Sequence, residues 1–115
     1  MKVPLALIFL SISSASYAEI LVTAKYEATV TRLCEETDVM CDNVVLNLIH
    51  NLKGEKLRLG GKTLHKNCLI PGSECRFVGY EFEGKQVVYT LLTDGMFQIT
   101  NQNGELVYSE KGNWL

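Results

Sequence analysis

The sequence predicts one small all-β domain, an antiparallel β-barrel or sandwich formed by a meander of about seven strands and carrying two disulfides. Three observations lead to this fold class: apolar residues recur with period two, glycine-containing turn dipeptides separate the apolar runs, and four cysteines occur in 115 residues. Alternating side chains are typical of strands that bury one face. Short strands with turns at close spacing are typical of a small meander barrel or sandwich.

The first 18 residues are expected to be a secretory signal peptide. Met1-Lys2 supplies a charge, the stretch from Val3 to Leu10 is apolar, and Ser16-Tyr17-Ala18 is a small-x-small cleavage motif. A membrane-spanning helix needs about 20 apolar residues, which is longer than this run. We therefore expect cleavage after Ala18, a soluble domain over residues 19–115, no membrane insertion, and a periplasmic or secreted location.

The apolar runs predict the strands in chain order, over residues 20–33 (as one strand or two), 43–52, 55–59, 76–82, 86–92, 96–101 and 106–109. Turns between them are expected at Lys53-Gly54, Gly60-Gly61, Glu83-Gly84, Asp94-Gly95 and Asn103-Gly104. Asp-Gly and Asn-Gly are strong hairpin signals, since glycine and asparagine tolerate the positive φ of tight turns. The best helical candidate, Cys34 to Cys41, is too short for more than one turn.

One strand is expected to bend. The run from Arg76 to Phe82 places Val78, Tyr80 and Phe82 on one face and Gly79 on the other. A glycine inside a strand favours a bulge or a sharp bend of the kind that barrel corners require.

The four cysteines are Cys34, Cys41, Cys68 and Cys75, and both sequential pairs have C-x6-C spacing. An even number of cysteines in a small exported chain indicates disulfides. A zinc module is disfavoured because its cysteines usually follow C-x2-4-C spacing. The local pairs Cys34–Cys41 and Cys68–Cys75 are favoured because Pro71-Gly72 supplies a tight turn. Crossed pairings, which close longer loops, stay open.

Charge and motifs exclude several functions. Removal of Lys2 with the signal leaves ten basic and thirteen acidic residues, a net charge of −3. Nucleic-acid binding is therefore not expected, since it needs a strongly basic face. Only two histidines are present, His50 and His65, and no G-x-S-x-G element accompanies them. We therefore expect no catalytic residues, no metal, no cofactor and no enzymatic activity. His65 is expected in a solvated segment.

Three features are candidates for contact with a protein partner. The acidic stretch around the first cysteine pair lacks the ligand pattern of a calcium loop. It is either a solvated loop or a docking surface for a basic partner. A basic stretch runs from Lys53 to Lys66. It is either an exposed hairpin whose lysines block edge pairing or a contact for an acidic partner. The lone tryptophan near the C-terminus is either a plug of the barrel or an exposed anchor. The candidate contact residues are Glu35, Glu36, Asp38, Lys56, Arg58, Lys62 and Trp114.

The combination of signal peptide, acidic mature chain, few cysteines and β-meander resembles small periplasmic proteins of Gram-negative bacteria. Periplasmic inhibitors of C-type lysozyme and immunity proteins against cell-wall-cutting toxins are the nearest in architecture, although the inhibitors' Ser-Gly-x-x-Tyr motif is not found here. The resemblance implies a non-enzymatic binding protein, an inhibitor or immunity protein against a cell-wall-degrading enzyme. The alternative is a carrier that holds a small ligand in or at the mouth of a barrel.

Overall fold

The computed structural model of the chain describes residues 17–35, 40–72 and 74–115. These residues form nine strands and no helix: β1 (Tyr17–Val22), β2 (Tyr26–Arg32), β3 (Val44–His50), β4 (Lys56–Lys66), β5 (Arg76–Glu83), β6 (Val87–Leu92), β7 (Met96–Asn101), β8 (Leu106–Lys111) and β9 (Asn113–Trp114). Within the described ranges, no helical segment has the length and apolarity needed to cross a membrane. The all-β prediction is confirmed.

The strands form one antiparallel sheet with the order β8-β7-β6-β5-β4-β3-β2-β1-β9. Strand β9 follows β8 directly in the chain but pairs with β1, where Trp114 lies opposite Leu21. The two ends of the meander are thereby brought together, and the sheet is a nearly closed barrel. The structure has nine strands and not about seven for two reasons. The stretch predicted as one strand or two, residues 20–33, contributes to both β1 and β2, and a further two-residue strand, β9, follows β8.

Four of the five predicted turns are confirmed. Gly54, Gly95 and Gly104 have positive φ and connect successive strands, and the amide of Gly84 closes the β5–β6 turn on the carbonyl of Val87 at 2.8 Å. Gly54, Gly95 and Gly104 permit their turns because other residues rarely adopt such φ values.

The predicted turn at Gly60-Gly61 is wrong, since both glycines lie within the 11-residue strand β4. The first half of β4 pairs with β3 up to Gly61, and the second half pairs with β5 from Gly61 onward. A Cβ atom on Gly61 would lie 2.1 Å from the carbonyl oxygen of Glu81 and 2.4 Å from Cδ1 of Phe82. Gly61 therefore allows β4 and β5 to approach each other closely. The sequence pattern does not distinguish a glycine in this role from a glycine in a turn.

Of the bulge or sharp bend predicted at Gly79, the structure shows a bulge, and it changes which side chains face the core. Leu64 pairs with Gly79 while the next residue, His65, pairs with Phe77, so β5 carries an extra residue there. A bulge of this kind shifts the alternation of side chains along a strand. Phe77, rather than the predicted Val78, therefore packs against the core with Tyr80 and Phe82.

Side chains from the strands fill the interior of the barrel. Tyr80, Phe82 and Phe97 are the largest fully buried ones. The remaining apolar core consists of Leu21, Ala28, Val30, Cys41, Val44, Leu46, Leu48 and Leu91. Burial of apolar side chains supplies about 1.5–3 kcal/mol for each large residue, so this packed interior is the main source of stability.

Both disulfides have the predicted local connectivity, Cys34–Cys41 and Cys68–Cys75. Cys41 belongs to the buried core, whereas Cys68 and Cys75 are partly exposed. Two disulfides indicate an oxidising, non-cytoplasmic compartment. The one-turn helix considered between Cys34 and Cys41 falls largely on residues 36–39, outside the described ranges.

Candidate functional site

Both disulfide-closed loops lie at the same side of the barrel, around an open groove of about 550 Å³ that we name the cystine groove. The groove is lined by Met40, Asp42, Lys62, Thr63, Leu64, His65, Asn67, Cys68, Leu69 and Ile70. Its lining thus joins the end of the first cystine loop, the second half of β4 and the start of the second cystine loop. Loops held on a rigid sheet are common positions for binding residues.

Thr63 on β4 ties the first loop to the barrel. Its amide donates to the carbonyl of Cys41 at 2.8 Å, and its hydroxyl accepts a hydrogen bond from the amide of Cys41, also at 2.8 Å. The Thr63 side chain is 7% exposed, so these bonds are shielded from competing water. The disulfide and these bonds fix Cys41, and with it the edge of the groove.

The second loop leaves β4 through Asn67, which has a φ of 64°. Asparagine tolerates this left-handed conformation better than most residues, and it turns the chain out of the strand. Gly72, with a φ of 82°, returns the chain toward Cys75. Cys68 and Cys75 are bonded to each other, so the loop between them is pinned at both ends.

Apolar side chains are exposed on both loops. Leu69 is 96% exposed, Ile70 is 54% exposed and Met40 is 57% exposed. Single exposed apolar residues are normal on protein surfaces, but a group of them on disulfide-closed loops around a groove is typical of an interaction site. Lys62 and Asp42 line the same groove, so the apolar group has charged residues at its margin.

A second open groove, of about 470 Å³, lies at the start of β4 and is named here the tyrosine groove. It is lined by Tyr26, Leu48, His50, Glu55, Lys56, Leu57 and Tyr89. The Tyr26 ring contacts the rings of His50 and Phe97, each with centroids 4.8 Å apart. Burial, followed by the nearby charges of Glu110 and Glu55, raises the pKa of Tyr26. Burial also raises the pKa of Tyr89.

The structure separates the predicted contact residues. Lys62 lines the cystine groove, and Glu35 is exposed beside Cys34. Lys56 and Arg58 are exposed at the start of β4, and Lys56 lines the tyrosine groove instead. Glu36 and Asp38 lie outside the described residues.

Trp114 lies where the barrel closes. Its indole N–H donates to the carbonyl of Leu92 at 2.9 Å, and its ring meets the Tyr80 ring edge-on at 6.2 Å. The side chain is partly buried, and these contacts give it a place in the packing of the barrel. Its role as a partner contact stays a prediction.

Sequence reasoning missed the exposed residues Leu69 and Ile70 and the inward position of His65. Apolar residues in the sequence are expected in the core, so the pattern offered no reason to place Leu69 and Ile70 outside. The available signal was their position next to Pro71-Gly72 inside a short cystine loop, which has no room for a core of its own. The sequence predicts a solvated segment over residues 62–66, whereas His65 is partly buried on β4.

The chain matches no protein-family model, no curated protein and no solved structure.

Proposed function

We propose that the chain is an exported, non-enzymatic binding protein that docks on a partner protein through the cystine groove. The proposed partner is a cell-wall-degrading enzyme, which the chain inhibits or against which it confers immunity. The observation that carries the proposal is the group of exposed apolar side chains, Met40, Leu69 and Ile70, on two disulfide-pinned loops.

Pinned loops favour association for an energetic reason. A flexible loop loses conformational entropy when it binds, at a cost of about 0.5–1.5 kcal/mol for each immobilised side chain rich in rotamers. The cystine bridges and the bonds between Thr63 and Cys41 lower that cost because the loop ends are already fixed. Burial of Leu69 and Ile70 against a partner then contributes to the binding free energy rather than offsetting loop ordering.

The charges at the margin add specificity rather than affinity. Lys62 and Asp42 carry opposite charges beside the groove, and complementary charges at an interface rim steer the partner and reject wrong orientations. The proposed partner surface is therefore an apolar projection or pocket with mixed charge around it.

The test uses purified muramidases and peptidoglycan amidases, with pull-down followed by activity assays at micromolar concentrations of the mature protein. Leu69→Asp is expected to weaken binding by at least about tenfold, since a central apolar contact residue contributes more than 1 kcal/mol. Leu52→Asp is the matched control, because Leu52 is also highly exposed, at 80%, but lies in the β3–β4 turn. Absence of both binding and inhibition across the panel would reject the proposal, as would equal effects of the two substitutions.

A second candidate function, a small-ligand carrier, is favoured by the tyrosine groove. The interior of the barrel is filled by side chains, but this groove at its mouth has about 470 Å³ and combines aromatic rings with Glu55 and Lys56. Ligand sites commonly have such volumes and linings. Native mass spectrometry of the exported protein tests this function: a bound small molecule that is lost in Leu57→Asp and kept in Leu69→Asp supports it. A spectrum with only the protein mass rejects it.

A further inference from the structure

His65 lies on β4 close to the Cys68–Cys75 disulfide. An imidazole nitrogen of His65 and the sulfurs of Cys68 and Cys75 all lie within 4.8 Å of one another. The Nδ1 atom of His65 is buried without a hydrogen-bond partner, and no other buried side-chain nitrogen or oxygen in the described ranges shares this condition. Burying a polar atom without a partner costs about 1–3 kcal/mol, so such an atom calls for an explanation.

The hydroxyl of Thr63 contacts one ring nitrogen of His65. The hydroxyl of Thr63 directs its own hydrogen at the carbonyl of Cys41, 3.4 Å away, and accepts from the amide of Cys41. His65 Nε2 lies 2.9 Å from the same hydroxyl oxygen, and in one tautomer of the imidazole Nε2 is the N–H donor of this pair. In a neutral imidazole the other nitrogen, Nδ1, then has an unshared electron pair.

The disulfide cannot satisfy this electron pair, because its sulfurs carry no hydrogen. A metal cation can satisfy it, and a hydrogen bond from the second ring nitrogen is the usual way in which proteins orient a histidine ligand. The bond between Nε2 and Thr63 is of this kind. An imidazole nitrogen and two sulfurs are the kinds of donor atom that a thiolate–imidazole metal site uses, provided that the disulfide is first reduced to thiols.

We propose that His65, Cys68 and Cys75 bind a zinc ion when the Cys68–Cys75 disulfide is reduced. A dithiol reductant, such as a thioredoxin-like protein, supplies the two electrons and two protons. Its own thiols become a disulfide, and Cys68 and Cys75 become two thiols. Each thiol then releases its proton to solvent as it binds the cation as a thiolate.

The geometry needs only local movement. Zinc binds sulfur at about 2.3 Å and imidazole nitrogen at about 2.0–2.1 Å in tetrahedral sites, which places the ligand atoms about 3.5–3.8 Å apart. Once the sulfur–sulfur bond is broken, the sulfurs separate and the imidazole moves inward by about 1 Å to reach these distances. Three protein ligands leave the fourth position of the ion to water.

Accessibility makes the two disulfides unequal. Cys68 and Cys75 are partly exposed in a surface loop, whereas Cys41 is 1% exposed. Cys34 is partly exposed as well, so the two bridges differ in one buried residue, Cys41, and we expect a reductant to reach Cys68–Cys75 more readily. The proposed metal site uses the reduced form of the bridge that pins Leu69 and Ile70, so zinc binding is measured on the reduced protein and docking on the oxidised protein.

The experiment uses the mature protein, reduced with a phosphine, desalted without oxygen and titrated with Zn²⁺ by calorimetry. Bound zinc is counted by elemental analysis, and thiol alkylation with peptide mass mapping shows which bridge was reduced. The reduced protein is expected to bind one zinc ion, and the oxidised protein none. His65→Ala is expected to weaken binding by at least about tenfold, whereas His50→Ala, a histidine in the tyrosine groove, leaves it unchanged.

Cobalt substitution supplies a second measurement that does not depend on the stability of cysteine variants. Co²⁺ bound to the reduced protein is expected to show thiolate-to-metal charge transfer in the near ultraviolet and d–d bands typical of tetrahedral coordination. Both signals should be absent from Cys68→Ser/Cys75→Ser and altered in His65→Ala. Equal zinc affinity of the oxidised and reduced forms, or of His65→Ala and His50→Ala, would overturn the proposal, as would a cobalt spectrum without sulfur charge transfer.

Discussion

Glu110 shows at the scale of one residue how this barrel becomes sensitive to pH. Its carboxylate accepts a hydrogen bond from the hydroxyl of Tyr108 at 2.7 Å. Partial burial by itself raises the pKa of Glu110, but hydrogen bonds from Thr23, Tyr108 and the amide of Lys25 lower it overall. Burial, together with the hydrogen bond to Glu110, raises the pKa of Tyr108 to about 12. The pair is therefore most stable with Glu110 charged and Tyr108 neutral.

Glu110→Gln is expected to flatten the dependence of stability on pH in acid. The folded-state pKa of Glu110 lies below its unfolded value, so the stabilisation is present above the unfolded pKa of about 4.5 and is lost as pH falls through the folded pKa. The loss is at most about 1 kcal/mol because the group is partly solvated. Urea unfolding at pH 7 and pH 3 measures it, with Glu27→Gln on the outer face of β2 as control. Equal pH dependence in wild type and Glu110→Gln would contradict this account.

Gly61 and Gly60 form a matched pair for a test of close approach. A Cβ on Gly61 meets the backbone of Glu81, whereas a Cβ on Gly60 meets nothing within 4 Å. Gly61→Ala is expected to destabilise the protein by about 1–3 kcal/mol because the strands must move apart. Gly60→Ala is expected to be neutral or to stabilise by up to about 1 kcal/mol, since alanine restricts the unfolded chain. Chemical denaturation measures both, and an equal cost at the two positions would refute the close approach of β4 and β5 assigned to Gly61.

At the scale of elements, local patterns predicted strands well where hairpins enclose them. Strand β7 has its predicted bounds, Met96–Asn101, because Asp94-Gly95 and Asn103-Gly104 mark both of its ends. Strand β4 is longer than predicted because Gly61 lies in close contact with Glu81 of β5 and not in a turn. This contact joins residues about 20 positions apart, which a local pattern does not reveal. The shifted face of β5 has the same cause, since a bulge depends on pairing with a partner strand and not on local alternation.

The two disulfides are expected to contribute differently to stability, because they close loops of equal length but differ in burial. Each bridge joins residues seven positions apart, so the loop-closure model assigns each about 2.5 kcal/mol. Loss of Cys34–Cys41 is expected to cost more than loss of Cys68–Cys75, because Cys41 is in the core and bonded to Thr63. Thermal melting of Cys34→Ala/Cys41→Ala and Cys68→Ala/Cys75→Ala measures the difference. A melting temperature unchanged by reductant in the wild type would show that neither bridge contributes stability.

The cystine groove, like the strands, was predictable where it depends on neighbouring residues and not where it depends on contacts between distant ones. The sequence predicted both cystine loops, and the predicted local pairing brought their ends together. It did not predict that both loops border one groove beside β4, because that depends on the change of pairing partner at Gly61 and on the hydrogen bonds between Thr63 and Cys41. The tyrosine groove was missed for a similar reason, since Tyr26, His50 and Tyr89 come from three strands.

At the scale of the whole molecule, closure of the barrel depends on its last residues. The short strand β9 pairs with β1, and the amide of Leu115 donates to the carbonyl of Ile20 at 2.9 Å. Strand β9 has two residues, so few backbone hydrogen bonds join it to β1 at this seam. The contacts of Trp114 with Tyr80 and with the carbonyl of Leu92 reinforce it.

Trp114→Ala is expected to destabilise the protein by about 3 kcal/mol, the lower end for loss of a tryptophan because the ring is only partly buried. Trp114→Phe keeps a ring but loses the bond to Leu92, so it should cost about 1 kcal/mol. Far-ultraviolet circular dichroism during urea titration measures both variants, since neither retains the indole. Similar midpoints for Trp114→Ala and the wild type would show that the seam does not limit stability.

Because the chain has a single tryptophan, its intrinsic tryptophan fluorescence reports on the region where β9 pairs with β1. Four of the five tyrosines are Tyr26, Tyr80, Tyr89 and Tyr108, and Tyr80 is near enough to pass its excitation energy to the indole. Any event that parts β9 from β1 exposes the indole to water and shifts its emission to longer wavelength. Opening of the barrel can therefore be followed in real time in the unlabelled wild-type protein, separately from the unfolding of the rest of the sheet.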